Sequence, residues 1–296
     1  MNEEEIVYYN PMQEQLIEEA NKRVDADNHE LPLEGTAVVV DIEDMSTMEN
    51  EAFALIRRNG FGGSDSGILL GVNPYDNITK LIKQKASYIL TEEEKAVGDQ
   101  AAVRKGNDLE PLIIDKTAYY LGMHIIKPGP MYKFKDFPYL KMNFDGVVVN
   151  EGEKPYPCEI KVCTTFGAKH YNFHKAYFRE QIGYQAVQSN VSATDMSIEE
   201  KARHYGIPPY YYTQLQQEMM ALNAPYGLLS VLDERTWCIN VFFIYQDVAV
   251  QTMLVTAAHN AWERVEALRG QSSFDWSVEG ILAYAEQDKE GELKVE

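Results

Sequence analysis

The chain has 296 residues, a formal net charge of −19 and three cysteines, Cys158, Cys163 and Cys238. That length allows one elaborated domain or two small ones, and no stretch approaches the roughly 18 consecutive apolar residues that a membrane span requires. The cysteines form no CxxC pair and lack a fourth partner, and there is no Gly-x-x-x-x-Gly-Lys loop, which argues against zinc, iron–sulfur and ATP chemistry.

The start, Met1 to Glu5, lacks the basic and then apolar order of a secretory signal and points to the cytoplasm. Residues 1 to 50 hold 14 acids and 2 bases, residues 263 to 296 hold 9 and 4, and the stretch between holds 23 and 21. The acidic ends read as solvating or interaction tails, with a DNA mimic or a dock for a basic partner as the alternative. The resulting division is an acidic N-terminal extension (1–48), a compact domain (49–270) and an acidic C-terminal tail (271–296).

Pro11 to Val24 reads as a helix, Asp25 to Glu30 as a polar linker, and Val38 to Val40 as a short strand. Glu49 to Arg58 is expected to be helical and to break at Gly60-Phe61-Gly62-Gly63. A further helix is expected to start at Ser64, an N-cap residue, and Asn77 to cap another running through Ser87. Glu92 to Gln100 is a charged connector. Ala101 to Leu121 reads as a long helix carrying Glu110, kinked near Gly106 and Pro111.

Tyr139 to Val149 and Tyr156 to Cys163 read as strands of a hairpin whose turn is Asn150 to Pro155. A turn centred near Gly152 pairs positions whose numbers sum to about 304 or 305, so Asp145 and Glu159 face each other. The strand period puts the ammonium of Lys161 on the face of Glu159. Two acids and a lysine suit a hard cation such as Mg²⁺, which needs one or two carboxylates plus substrate phosphate, with the lysine orienting water or offsetting developing charge. An ordinary surface salt bridge is the competing reading.

His170 to Gln188 has helical spacing, and His170 and His174 read as surface or cleft-rim residues. The polar stretch Ser189 to Gly206 reads as a mobile loop or a subunit contact. Pro208-Pro209 opens a helix, Tyr210 to Leu222, with Gln214 and Glu218 on its polar face and Leu215, Met219 and Leu222 on its apolar one. Tyr226 to Leu232 and Trp237 to Tyr245 are strands, and Val248 to about Leu268 a closing helix. The order gives an α/β fold, a mixed sheet between helices.

Five stretches occur in the order found in a known family. Arg57 with Gly60 to Asp65, Gly106 to Glu110, Asn143 to Gly146, Glu159-Ile160-Lys161, and Tyr211 with Gln214-Leu215-Gln216 resemble the motifs of the YqaJ and lambda exonuclease group of phage recombination exonucleases. That group lies within the PD-(D/E)XK nuclease superfamily, and the likeness runs from about Arg57 to Tyr245. The resemblance implies a restriction-endonuclease-like core in which Glu110, Asp145, Glu159 and the carbonyl of Ile160 hold Mg²⁺, with Mn²⁺ as a substitute. Lys161 would assist the water, Gln214 would brace it or the lysine, and Tyr211 would line the cleft. Arg57 and Ser64 would hold the 5′ phosphate of a DNA end, although Gly-Gly-Ser is also an ordinary turn.

The implied activity is a 5′-to-3′ exonuclease on linear duplex DNA, leaving 3′ tails for recombination by single-strand annealing. The implied context is a phage or prophage protein in a bacterial host, forming a homo-oligomer, commonly a trimer, beside an annealing protein. Two alternatives stand: an endonuclease or general DNA-processing nuclease of the same fold, and an acidic interaction module that kept the fold without the chemistry.

Overall fold

The computed structural model describes residues 9–24, 31, 37–39, 50–91 and 101–289. The sequence expectations for 25–30, 92–100 and Val40 lie outside the described residues. In chain order the elements are α1 (Pro11–Val24), β1 (Ala37–Val39), α2 (Asn50–Arg58), α3 (Ser66–Leu69), α4 (Ile78–Ala86), α5 (Ala101–Leu121), β2 (Ile125–Ile126), β3 (Tyr132–Phe134), β4 (Lys141–Met142), β5 (Val147–Val148) and β6 (Tyr156–Cys163). There follow β7 (Phe178–Arg179), β8 (Gly183–Tyr184), α6 (Ile198–Tyr205), α7 (Pro209–Leu222), β9 (Tyr226–Asp233), β10 (Cys238–Tyr245), α8 (Val248–Arg269) and α9 (Val278–Lys289).

Seven strands form one sheet in the order β2-β5-β6-β9-β10-β7-β8, and β1-β3-β4 form a smaller one. The large sheet is mixed: β6 and β9 run parallel, and the other pairs are antiparallel. Helices cover β9 on both faces. On one, Thr117 Oγ1 of α5 lies 2.7 Å from Ser230 Oγ. On the other, a Cβ at Gly227 would come within 3.2 Å of Leu215 on α7, so only glycine allows so close an approach. Positions 227 and 230 differ by an odd number and therefore face opposite ways. Leu215, Met219, Leu228, Leu229, Val231 and Ile113 are fully buried in the core between these layers.

The β5–β6 hairpin has the expected register, with Val147 opposite Pro157 and Val148 opposite Tyr156, each pair summing to 304. The long strand expected from Tyr139 to Val149 is instead broken between Met142 and Val147, and its first part, β4, joins the smaller sheet. The ladder ends where Cys158 N donates to Gly146 O at 2.9 Å. The next amide, Ile160 N, donates to the Asp145 carboxylate at 3.0 Å instead of a main-chain carbonyl. A side chain thus ends the pairing and is held in place by doing so.

Other expectations change. Residues 170–188 form no helix: two 3₁₀ turns, Gly167–His170 and Phe173–Lys175, lead into the β7–β8 hairpin. Asn172 Oδ1 accepts the His174 amide, and Phe178 pairs with Val241 of β10, so local side-chain bonding and sheet pairing override the periodicity. Within 189–206, Ser197 and Glu200 form a reciprocal cap for α6, and Lys201 is tied to Asp247 at 2.7 Å in the interior. α5 runs without interruption through Pro111, so Glu110 sits within a continuous helix. The acidic ends also carry structure. α1 buries Ala20 and Val24 and pairs Arg23 with Asp115 of α5, and α9 buries Ile281 against a cluster containing Leu55 and Ile56 of α2.

Candidate active site

The middle of β6 supplies Glu159 and Lys161 on the sheet face covered by α7. Glu159 is 1% exposed. Its Oε1 accepts from Lys161 Nζ and from Gln214 Nε2 of α7, whereas Oε2 is buried without a hydrogen-bond partner. Lys161 Nζ also lies 3.5 Å from Asp145 Oδ2 and 5.4 Å from the centre of the Tyr211 ring. Asp145, Glu159 and Lys161 are therefore in direct contact, brought together by the splayed end of the hairpin.

Burial first, and then the charge of Asp145, raises the Glu159 carboxyl to about 7 despite Lys161 beside it. Burial would lower the Lys161 ammonium, but Glu159 and Asp145 outweigh it and hold the group well above its ordinary value. Glu110 of α5 is raised by burial and by Asp145, partly offset by Lys127. Lys127 Nζ stands 2.7 Å from Glu110 Oε1 and forms an ion pair with it.

A fourth acid completes the cluster. Glu218, 1% exposed, accepts from Gln214 Nε2 at 3.2 Å and is raised well above the usual carboxylate range by burial and by Glu159. Gln214 and Glu218 were legible in the sequence as a polar stripe, but Glu218 was not assigned a place in the site. Lys127 and Lys141, which line the same cavity, had no sequence signal.

Arg57, at the end of α2, donates from Nη2 to Ser64 Oγ at 3.4 Å. Ser64 does not open a helix: it lies inside a 3₁₀ turn, Gly63–Asp65, followed by the four-residue α3. The Gly62 amide is taken by Asp65 Oδ2 at 2.8 Å, so the loop presents a hydroxyl and a guanidinium more than a helix terminus. A Cβ at Gly63 would meet Gln214 at 3.2 Å, which lets this loop lie against the carboxylate cluster.

The carboxyl end of α2 would repel an anion through its exposed carbonyls. Three buried cations answer it. Lys141 donates to Ile56 O at 3.1 Å, Lys85 to Arg57 O at 3.2 Å, and Arg269 to Arg58 O at 3.0 Å. Lys85 also pairs with Asp65 at 2.7 Å, joining the end of α2 to the Gly62–Ser64 loop.

Arg57, Ser64, Glu110, Asp145, Glu159, Lys161, Tyr211 and Gln214 all line one open cavity of about 950 Å³. Ile160 is not among the residues that line it; its backbone amide donates to Asp145, which does. Among the described residues no three His, Cys, Asp or Glu side chains converge tightly enough to hold an ion as they stand. Lys161 sits against Glu159 and Lys127 against Glu110. The donor set still fits a hard divalent cation: it is all oxygen, and Glu159 Oε2 is buried without a hydrogen bond.

The YqaJ-like viral recombinase domain family matches the chain over residues 52–224. Among solved structures the chain is similar to an alkaline exonuclease, LHK-Exo, from Laribacter hongkongensis, at 14% identity and a TM-score of 0.45, covering 73% of this chain and 94% of that one. LHK-Exo in complex with dAMP gives 14% and 0.46, covering 73% and 95%. A phage related exonuclease from Haemophilus somnus 129PT gives 12% and 0.44, covering 72% and 96%. No curated protein matches.

Proposed function

The chain belongs to the YqaJ-like viral recombinase domain family, and on that premise we propose that it is a Mg²⁺-dependent deoxyribonuclease that removes nucleotides from the 5′ end of linear duplex DNA. The observation that carries the reading is the direct contact of Asp145, Glu159 and Lys161 in a cavity that also holds Arg57 and Ser64. An acidic cluster alone would suit many roles, but an anion-binding pair facing it suits a phosphodiester.

Glu110, Asp145 and Glu159, with the Ile160 carbonyl, would hold the cation, which when bound supplies Lewis-acid polarisation of the scissile phosphate. Arg57 and Ser64 would fix the terminal 5′ phosphate by charge-assisted hydrogen bonds and so set where the chain is cut. Lys161, held cationic by its two acidic neighbours, would stabilise charge developing on the phosphate and orient the attacking water. Gln214 bridges Glu159 and Glu218 and so keeps the Glu159 carboxylate turned toward Lys161. Tyr211 covers the lysine from the side of α7.

Linear duplex with Mg²⁺ should yield free nucleotides, 5′-phosphorylated ends should be preferred over 5′-hydroxyl ends, and Asp145→Ala should abolish release. Cutting of covalently closed circles would make the protein an endonuclease instead. No release with any divalent ion would refute the nuclease reading and leave the interaction module. The implied homo-oligomer and its single-strand annealing partner are separate proposals; the mass in solution decides the first.

A further inference from the structure

Beyond the cleft, the segment that leaves β6 has an unusual composition. Residues 162–179 contain no aspartate or glutamate, where the chain average would place roughly three. They contain Lys169, Lys175 and Arg179, two of the six histidines, and five aromatic residues. Here the acidic chain interleaves bases with rings with no acid between them, the composition that binds single-stranded nucleic acid through backbone charge and base stacking.

The rings are ordered and continuous with the cavity. Tyr211, which lines it, stacks on Tyr171 at 6.3 Å and 24°, and Tyr171 stacks on Phe173 at 5.5 Å and 7°. Phe173 then walls a second cavity of about 310 Å³ together with Arg179, Gln181, Arg235 and Asn240. Its acid, Asp233, is engaged by Arg235 through two contacts of 2.8 and 2.6 Å. Arg179 donates to Asn240 at 3.4 Å and pairs with no carboxylate among the described residues. Phe166 is 87% exposed, and Lys169, His170 and His174 are exposed beside these rings in sequence.

We infer that residues 164–179, with Tyr211 and Arg235, form a platform on which an unpaired DNA strand lies as it passes between the catalytic cavity and the second, arginine-lined one. The inference rests on the nuclease reading for its direction but not for its chemistry. The occupant is single-stranded DNA because the exposed ring of Phe166 and the half-buried rings of Tyr171 and Phe173 stand with cations, whereas Tyr177 and Phe178 pack on the sheet. Duplex DNA presents its bases stacked inward and would use the charges alone.

The test is fluorescence anisotropy of the full-length protein with a labelled oligodeoxythymidylate, Ca²⁺ replacing Mg²⁺. The double variant Phe166→Ala, Lys169→Ala changes two exposed side chains, and its thermal midpoint should match wild type. It should bind the single strand about tenfold more weakly, with a salt slope shallower by roughly 0.7. Phe173→Leu should weaken binding without altering that slope. Indistinguishable affinity in both variants overturns the platform. So does a variant that changes the oligomeric mass while its single-strand affinity holds, which would make the surface a contact between copies. Nucleotide release in Mg²⁺, measured on the same wild-type preparation, reads the nuclease separately: binding without release leaves the platform standing and removes the enzyme.

Discussion

Lys141 is the sharpest place to test the electrostatics of this site. Its ammonium is 6% exposed, donates to Ile56 O, and is pushed from an ordinary 10.5 down to about 7 by burial and then by Lys85, Lys133 and Arg269. The folded protein therefore releases this proton around pH 7, whereas the unfolded chain holds it to about 10.5. Between those values the unfolded state binds more protons, so stability rises with pH; below pH 7 both states are protonated and the slope disappears. At 1.36 kcal/mol per pH unit the full difference is bounded by roughly 5 kcal/mol, and local relaxation reduces it. Lys141→Met removes the titration and leaves one helix-end carbonyl unpaired, a loss that does not vary with pH. Urea unfolding of both proteins at pH 6.5 and 9.5 should therefore show the variant's relative stability falling by about 2 kcal/mol between the two. Parallel profiles would refute the claim that this ammonium is held desolvated at the end of α2.

Burial and Glu159 push the Glu218 carboxyl toward its neutral form, so Glu218→Gln should change stability by under about 1 kcal/mol in thermal unfolding, while Glu218→Leu, which strands Gln214, should cost about 2. Lys161→Met should lower nucleotide release by about 10²–10³ with DNA affinity in Ca²⁺ retained; equal losses of both would make the lysine a binding group instead. Arg57→Ala should cut the preference for 5′-phosphorylated over 5′-hydroxyl duplex by about 10- to 100-fold in equilibrium binding, and Ser64→Ala by less, because the guanidinium carries the charge.

The sequence made local patterns legible and left long-range placements hidden. The register at 304 followed from one turn at Gly152, which has a left-handed φ of +79°, because a hairpin needs only its turn to set its pairing. α7 and β10 were readable because Pro209 opens one and apolar residues fill the other. The break at Asn143 to Gly146 was not, because it depends on the Asp145 carboxylate capturing Ile160 N, an event set by three-dimensional approach rather than propensity. The stretch 170–188 failed for a related reason: its aromatic spacing matches a helix, yet those rings are claimed by the sheet, with Phe178 beside β10 and Tyr177 against Phe243. Lys85, Lys141 and Arg269 come from three different elements and Lys127 from the loop after β2, and nothing about their neighbours in sequence marks them as companions of Arg57 or Glu110.

The same geometry bears on the proposal that a chain of charge −19 holds a phosphate at Arg57. At physiological ionic strength a charge is felt over about 8 Å, so an anion at Arg57 responds to its immediate neighbours and hardly to acids elsewhere on the molecule. Those neighbours are Ser64, the cations on the carbonyls of α2, and the carboxylate cluster. The cluster has four carboxyls, Glu110, Asp145, Glu159 and Glu218, facing two ammonium groups, Lys127 and Lys161. Left alone it must take up protons, which is why burial and mutual repulsion raise Glu110, Glu159 and Glu218 together. A divalent cation would take the place of those protons, bringing the four carboxylates and two ammonium groups to zero net charge while offering a phosphate oxygen a ligand position on the ion. On this reasoning the cavity should hold a DNA end more tightly with a divalent ion than without one, which equilibrium binding in Ca²⁺ and in chelator would read.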